Sequence, residues 1–468
     1  METASTTRTV ALPPGTWAAA GWGEGSRWED ALEGALAQLL AQRTPPPASR
    51  RRAGREDAGA PGPAPQAAPA SRRRQPASTP SPDLLFVFAS SAFARDYTSL
   101  VARAREATGA RHLLGCSGSG VIAGTQELEH RPAVALLAVA LPGASYLPVR
   151  LLEAHVRAAP DPIEEDREKV AAYWHRVMAS SIATAGAARR AAPAAPPEVN
   201  AWLLFADPFH LDVTALVDGL NAAYPGTPIV GGLASGDQNA DRTYLFLDDD
   251  VFDQGAVAVA IGGAWSVETL VSQGCTPIGQ PWTITGVDGQ RIETIALRPA
   301  YEMLADTVKA LPPHVAMRAR NHLFAGLAMD ERRHTLSRGD FLIRNIYGAD
   351  VNTGALVLAA RPRLGQTIQF QLRDAQAADE DLRAMLERVP ERLAGRAPAA
   401  ALLCSCTGRG AGLFGAPHHD ARTIQEYLGP LPLAGFFCHG EIGPVGGRNF
   451  VHGYTACLGL LVPKQAER

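Results

Sequence analysis

Arg409 lies between two glycines in Cys406-Thr407-Gly408-Arg409-Gly410, directly after the apolar run Ala401–Cys406. A guanidinium fixed at the end of a strand, with no helix expected to cover it, presents a planar fork of donors that matches a carboxylate. The competing reading is a solvated turn arginine: of 44 basic residues only Lys169, Lys309 and Lys464 are lysines, so arginine is this chain's default cation. His439 and Glu441 flank Gly440. In an extended segment that spacing sends both side chains to one side, either as a proton-transfer pair or as a hydrogen-bonded structural pair. If the two loops adjoin, Arg409, His439 and Glu441 converge on one cleft able to grip the carboxylate and amine of an amino-acid-like ligand.

Gly115-Cys116-Ser117-Gly118-Ser119-Gly120 has the glycine content of a phosphate cradle, but no GKS or GKT follows it. It reads as a tight strand connection with a small exposed thiol, Cys116, and the same turn can line a pocket, because sheet proteins bind ligands at strand ends. Gly115, Cys116, Ser117, Cys406, Arg409, His439 and Glu441 are therefore the candidate ligand-binding residues. Cys404 and Cys406 alternate onto one face of their strand, and Cys438, Cys457, His418, His419, His439 and His452 add soft donors. Their spacing matches no zinc pattern, and no base is assignable to Cys116 or Cys406. The expectation is buried inert thiols, no disulfide, no metal, no cofactor and no catalytic residue.

Positioning these residues requires a recurring unit. Leu84–Ala89, Asp96–Thr108 and His112–Cys116 read as strand, helix and strand, followed by strands over Val121–Glu129 and Ala133–Leu141. The order returns from Trp202 (WLLFA, helix Asp212–Ala223, PIVGGLASG, RTYLFL, AVAVAIG) and in part from Ala401 (ALLCSC, helix Ala421–Leu428, LAGFFCHGEIG, GYTACLGLLV). Leu84 to Gly115, Leu203 to Gly231 and Leu402 to Gly435 are similar separations, which indicates one unit used three times. Further strands lie between Asn321 and Asp374, where Arg344, Asn345, Arg373 and Asp374 border apolar runs and need partners if buried. Arg373 and Asp374 equally suit a cap for the following helix, Ala375–Val389. The fold class is α+β (mixed α/β): mixed, partly antiparallel sheets with packed helices, built from recurring β-α-β-β-β units.

The 468 residues carry a net charge of −3, with 46% hydrophobic and 19% charged residues, so no polyanion attraction, and hence no nucleic-acid or acidic-lipid partner, is expected. The longest apolar run, Ala133–Leu141, falls short of the ~20 residues of a membrane span, and no signal-peptide pattern opens the chain, so a cytoplasmic location is expected. Residues 44–82 are rich in Pro and Arg and contain nothing larger than Ala among apolar types, which predicts a disordered insertion. A helix is expected over Ile163–Arg190, and a second break over Ala191–Pro197.

At GCSGSGVI, ELEHRPAVALLAVALPG, LLFADPF, GLNAAYPGTPIVGGLASG, QGCTPIGQPWTIT, FLIRNIYG, CTGRG, GFFCHGEIGPVGG and HGYTA the sequence resembles the FIST family, in which a FIST N domain precedes a FIST C domain. The resemblance implies a first strand and helix of the N domain over 1–43, the insertion over 44–82, the rest of the N domain over 83–296 and the C domain over 297–468. It implies a non-catalytic small-ligand sensor of intracellular signal transduction, with an amino-acid-like ligand and an unknown signalling partner. His439 stands where the family pattern expects Asn. Two other readings stay open: an adaptor that recruits a partner segment through a groove, and an enzyme using Cys or His, for which no complete constellation is visible.

Overall fold

The computed structural model describes residues 11–43, 81–161, 165–181, 198–236, 241–319, 322–333 and 335–465. Nearly all of the 44–82 segment, the 191–197 break and the outer parts of the helix expected over 163–190 lie outside them. The described part of that helix is Arg167–Ser181.

Leu84–Ser90 shows how the layers arise. It is buried along its whole length, and alternation sends Leu84, Phe86 and Phe88 into a central core and Leu85, Val87 and Ala89 toward two helices. Those helices, Trp28–Arg43 and Tyr97–Thr108, cover the sheet with residues at helical spacing: Ala31, Leu32, Ala35, Leu36 and Leu39 on one, Leu100, Val101 and Ala104 on the other. The second of them stops at Gly109, whose positive φ of 67° turns the chain back.

Three six-stranded sheets share one design. The first runs Trp17–Glu24, Ala133–Ala140, Leu84–Ser90, His112–Gly118, Leu245–Leu247, Asp250–Phe252. The second runs Ala144–Leu151, Ala256–Gly263, Ala201–Ala206, Ile229–Leu233, Gly440–Val445, Arg448–His452. The third runs Trp265–Gln273, Thr455–Pro463, Ala400–Cys406, Leu433–Cys438, Gly120–Ala123, Gln126–Glu129. In each, only the two middle strands are parallel. Helices Arg167–Ser181 and Val213–Ala223 cover the second sheet, and Ala375–Glu387 and His419–Leu428 the third. The inner faces of all three meet in the central core, where Phe88, Phe205 and Phe436 contact one another with ring centroids 5.1 to 5.5 Å apart. Each fully buried Phe contributes roughly 1.5–3 kcal/mol.

The sheets exchange strands cyclically. The hairpin after Gly118 joins the third sheet, that after Leu233 the first, and that after Cys438 the second. Two strands expected to be continuous therefore break: Val121–Glu129 is a hairpin, and LAGFFCHGEIG divides at His439 between two sheets. Length and apolarity alone do not register a change of sheet. The crossing points meet at one end of the molecule: Ser119 N–H donates to Ser235 Oγ (2.8 Å), Ser235 Oγ donates to Phe437 O, and His439 N–H donates to Leu233 O (3.1 Å). Elsewhere the outer-strand connections gather: Lys464 N–H donates to Ala264 O (2.8 Å), Ala264 N–H donates to Gly143 O (2.9 Å), and a Cβ on Gly15 would touch Pro142 at 3.4 Å.

Between Trp265–Gln273 and Ala400–Cys406 of the third sheet the chain makes a separate antiparallel ring. Thr367–Arg373, Trp282–Asp288, Arg291–Ile295, Leu356–Leu358, Phe341–Ala349 and Leu323–Ala328 pair in that order, and the last returns to the first. Ile284, Ile292, Ile295, Leu327, Leu356 and Phe370 fill it. Closure leaves these six strands without a free edge. Cys275–Pro277 pairs with Thr367–Arg373 and ties this barrel to the third sheet.

Candidate functional site

Arg409 leaves the third sheet at the turn after Cys406 and folds inward, 1% exposed. Its fork is taken by Asp420 in the first turn of helix His419–Leu428: Nε donates to Oδ2 (2.7 Å) and Nη2 to Oδ1 (2.9 Å). Ser405 Oγ donates to the same carboxylate at 3.0 Å, and His419 Nδ1 lies 3.0 Å from it. Burial alone would raise the Asp420 pKa, but the charge and hydrogen bonds of Arg409, followed by those of His419, hold it well below the usual range. The expectation that no helix covers Arg409 is thus corrected. The turn is a loop, yet a carboxylate 11 residues on comes back over it.

Two neighbours were legible in the sequence only as polar residues beside apolar strands. Arg373 ends the barrel strand that pairs with Cys275–Pro277, with its guanidinium carbon 5.0 Å over the Tyr454 ring. Gly408 makes room for it: a Cβ there would lie 3.1 Å from both terminal nitrogens of Arg373. Gly274 does the same for Arg409, where a Cβ would lie 3.5 Å from Nη1. Arg409 Nη1 and Arg373 Nε are buried and have no hydrogen-bond partner among the described residues. Cys275 sits among Arg373, Arg409 and Arg338, whose charges lower its pKa only in part, so burial still pushes the thiol up to about 12. Asp374, next to Arg373, caps the following helix by accepting from Gln376 N–H (2.9 Å).

In the sequence Tyr454 and Cys275 stand only inside the longer motifs HGYTA and QGCTPIGQPWTIT. Tyr454 adopts φ 63°, sparsely populated for a bulky residue, and its hydroxyl donates to Asn345 Oδ1 on the barrel. Its ring centroid lies 4.3 Å from that of Phe324, so one side chain joins barrel and sheet.

Glu441 is fully buried. Oε2 accepts from Thr455 N–H (3.0 Å) and Oγ1 (2.6 Å), and Oε1 from Cys438 Sγ (3.1 Å). Burial pushes its pKa up to about 7, and these hydrogen bonds and the Arg409 charge only partly counter it. Arg344 lies near enough for Glu441 to steady its charge, but donates to Ile343 O and Val451 O (both 2.9 Å). Burial lowers the Arg344 pKa to about 10.

His439 takes another course. Its ring meets Phe209 edge-on at 5.8 Å, and its described contacts are with Phe209 and Leu233. Counting from Gly115, Gly231 and Gly435, the bend residues are Ser119, Ser235 and His439, so His439 fills a place where the other two copies carry serine. Gly115, Cys116 and Ser117 belong to the junction of the sheets. A Cβ on Gly115 would lie 1.8 Å from Val87 O, and Ser117 Oγ donates to Ser235 O (2.7 Å). The exposed thiol expected at Cys116 is corrected: the residue still belongs to the strand, so its side chain points into the central core and is fully buried. Cys406 borders the Arg409 turn and accepts weakly from Gly408 N–H (3.5 Å), and burial pushes its thiol up to about 12. All six cysteines are free and buried. Among the described residues no group of three or more His, Cys, Asp and Glu is placed to hold a metal, and no helix is long and apolar enough to cross a membrane.

The arrangement offers two unpaired guanidinium donors at a seam between barrel and sheet, suited to an oxyanion, beside thiols that stay protonated at neutral pH. The FIST N domain matches residues 83–297 and the FIST C domain residues 300–444. An uncharacterized protein of Mycobacterium tuberculosis strain CDC 1551 is 39% identical over 350 residues, 75% of this chain and 83% of its own. An uncharacterized protein of Mycobacterium bovis is 39% identical over 351 residues, with the same shares of each chain covered. Among solved structures, PurLQS from Thermotoga maritima overlaps 82% of this chain and 66% of its own at 11% identity and a TM-score of 0.16, too low to mark a shared fold.

Proposed function

Because the chain belongs to the FIST family, whose domains are generally sensory and serve signal transduction, we propose that it is a non-catalytic cytoplasmic sensor. Its ligand is a small carboxylate, amino-acid-like in class, held where the barrel meets the third sheet. The single observation that carries this reading is the pair of buried, unpartnered donors, Arg409 Nη1 and Arg373 Nε. Buried donors without partners are rare and costly, and a carboxylate supplies acceptors for both. Interfaces between domains are also where small-molecule sites recur. The signal is read by a partner that senses how the barrel sits against the sheets, the contact latched by Tyr454 and Asn345.

Native mass spectrometry of protein purified from its own cells tests the reading, together with calorimetry against a panel of amino acids. A co-purifying carboxylate is expected, and Arg373→Met should weaken it at least tenfold, since a charge-assisted contact is worth ~1.5–3 kcal/mol. No bound carboxylate and no heat with any amino acid would overturn it.

A further inference from the structure

A cavity of about 350 Å³ opens on the other side of the Arg409 turn, between the Gln126–Glu129 strand and residues 411–418. Its walls carry three carboxylates, Glu24, Glu127 and Glu129, and the half-buried indole of Trp22. Two of the carboxylates are held by backbone: Glu127 Oε1 accepts from Ala421 N–H (2.8 Å) and Glu129 Oε1 from Ala411 N–H (2.8 Å). Glu127 is 3% exposed, and its Oε2 is buried with no partner among the described residues. Arg131, the arginine on the wall, pairs with Glu24 (3.3 Å). His418 belongs to the wall too, but its Nδ1 accepts from Glu127 N–H (2.9 Å), and burial lowers its pKa.

We propose that this cavity is a binding site for a primary alkylammonium group, which donates to Glu127 Oε2 and lays its carbon chain on Trp22. An ammonium brings three donors to a wall that carries three carboxylates, and the indole offers an apolar face for the carbon chain. The site is distinct from the carboxylate site and stands or falls without it.

Protonation is linked to occupancy. Glu127 faces Asp420 and His419 from helix His419–Leu428 and Glu129 from its own strand, with His418 and Ala421 against its backbone and Oε1, and His130 and Arg131 close by on the rim. Burial first, then Asp420, pushes its pKa up to about 7. An ammonium prefers the ionised carboxylate, so affinity rises as pH goes from 6 to 8.

The test is an NMR titration of the full chain with n-butylammonium at pH 6 and pH 8, with butanoate and 1-butanol as controls. Saturable binding is expected, tighter at pH 8, and at least tenfold weaker in Glu127→Gln. Gly412→Phe provides a second variant, expected to weaken binding by occupying the cavity: Gly412 lines it, and a Cβ there meets nothing within 4 Å, so the backbone accepts a side chain at that point. Nα-acetyl-lysine methylamide is run in parallel. Its binding assigns a protein lysine as the source of the ammonium, and binding of n-butylammonium alone assigns a free amine. No saturable binding of either, equal binding by wild type and both variants, or competition by butanoate would overturn the proposal.

Discussion

Arg409 and Asp420 face each other through two parallel hydrogen bonds of 2.7 and 2.9 Å in a place sealed from water. Replacing one partner strands the other, and breaking a buried pair in this way costs about 3–5 kcal/mol.

Arg409→Lys keeps the charge but loses the fork, so we predict a loss of ~1.5–3 kcal/mol in urea unfolding. The effect should depend on pH. The Asp420 pKa is depressed in the fold, so its contribution is full above ~4, the ordinary carboxylate value, and fades as pH falls below it. A variant as stable as wild type at pH 7 would show that the pair contributes nothing.

Glu441 works in the opposite direction. Its folded pKa, about 7, lies above the ordinary glutamate value of ~4.3, so its contribution is full below ~4.3 and is lost as pH rises through about 7. Glu441→Gln stays neutral throughout. The stability of the variant relative to wild type should therefore climb between pH 5 and pH 8, measured by urea unfolding at each pH. Parallel profiles would place the carboxyl proton elsewhere.

Ala at Gly115, Gly231 or Gly435 should abolish folding, because a Cβ would sit 1.8, 1.7 and 1.7 Å from the carbonyls of Val87, Leu204 and Leu403. Circular dichroism and solubility would report it. Soluble, cooperatively melting variants at all three positions would mean that the parallel strands can separate at little cost.

The thiols should resist a disulfide reagent such as DTNB at pH 8 until the protein unfolds. All six are buried, and burial pushes Cys275 and Cys406 up to about 12, far from the thiolate that reacts. Rapid titration of one thiol in the native protein would identify a cysteine that the fold exposes transiently.

The threefold repeat was legible because each copy must bring a strand hard against its parallel neighbour, and only glycine allows that approach at 115, 231 and 435. The exchange of hairpins was not legible, since a strand's pattern records which of its faces is buried and not which sheet buries it. The core shows the same limit. Phe88 and Phe205 are equivalent through their pairing, the third copy has Cys404 there, and Phe436 fills the gap from the adjacent strand, where the other copies carry Cys116 and Gly232. At the candidate site Arg409 and Glu441 were recognisable as unusual polar residues, whereas their partners Asp420 and Thr455 lie on elements whose docking no local pattern encodes. His439 was misjudged in its surroundings because alternation assumes one continuous strand, and the chain changes sheet at that residue.

The gathering of Gly15, Gly143, Ala264 and Lys464 brings the outer strands of all three sheets to one junction, so the described fold from Gly15 to Lys464 runs in a near-closed circuit. Ala140 passes to Ala144 and Gly263 to Trp265 by short links, and the corresponding strand ends of the third pair, Pro463 and Trp17, lie beside the same junction. Circular permutation should therefore be tolerated here to an unusual degree: a chain that starts in the exposed Gly446–Gly447 turn, with Lys464 tied to Pro14 by a few residues, preserves every strand pairing. By the same topology no cut between the two family domains yields a self-sufficient half, because the second sheet lacks its outer hairpin until residues 440–452 have been made. Completion of the second sheet during synthesis thus waits until residues 440–452 have left the ribosome.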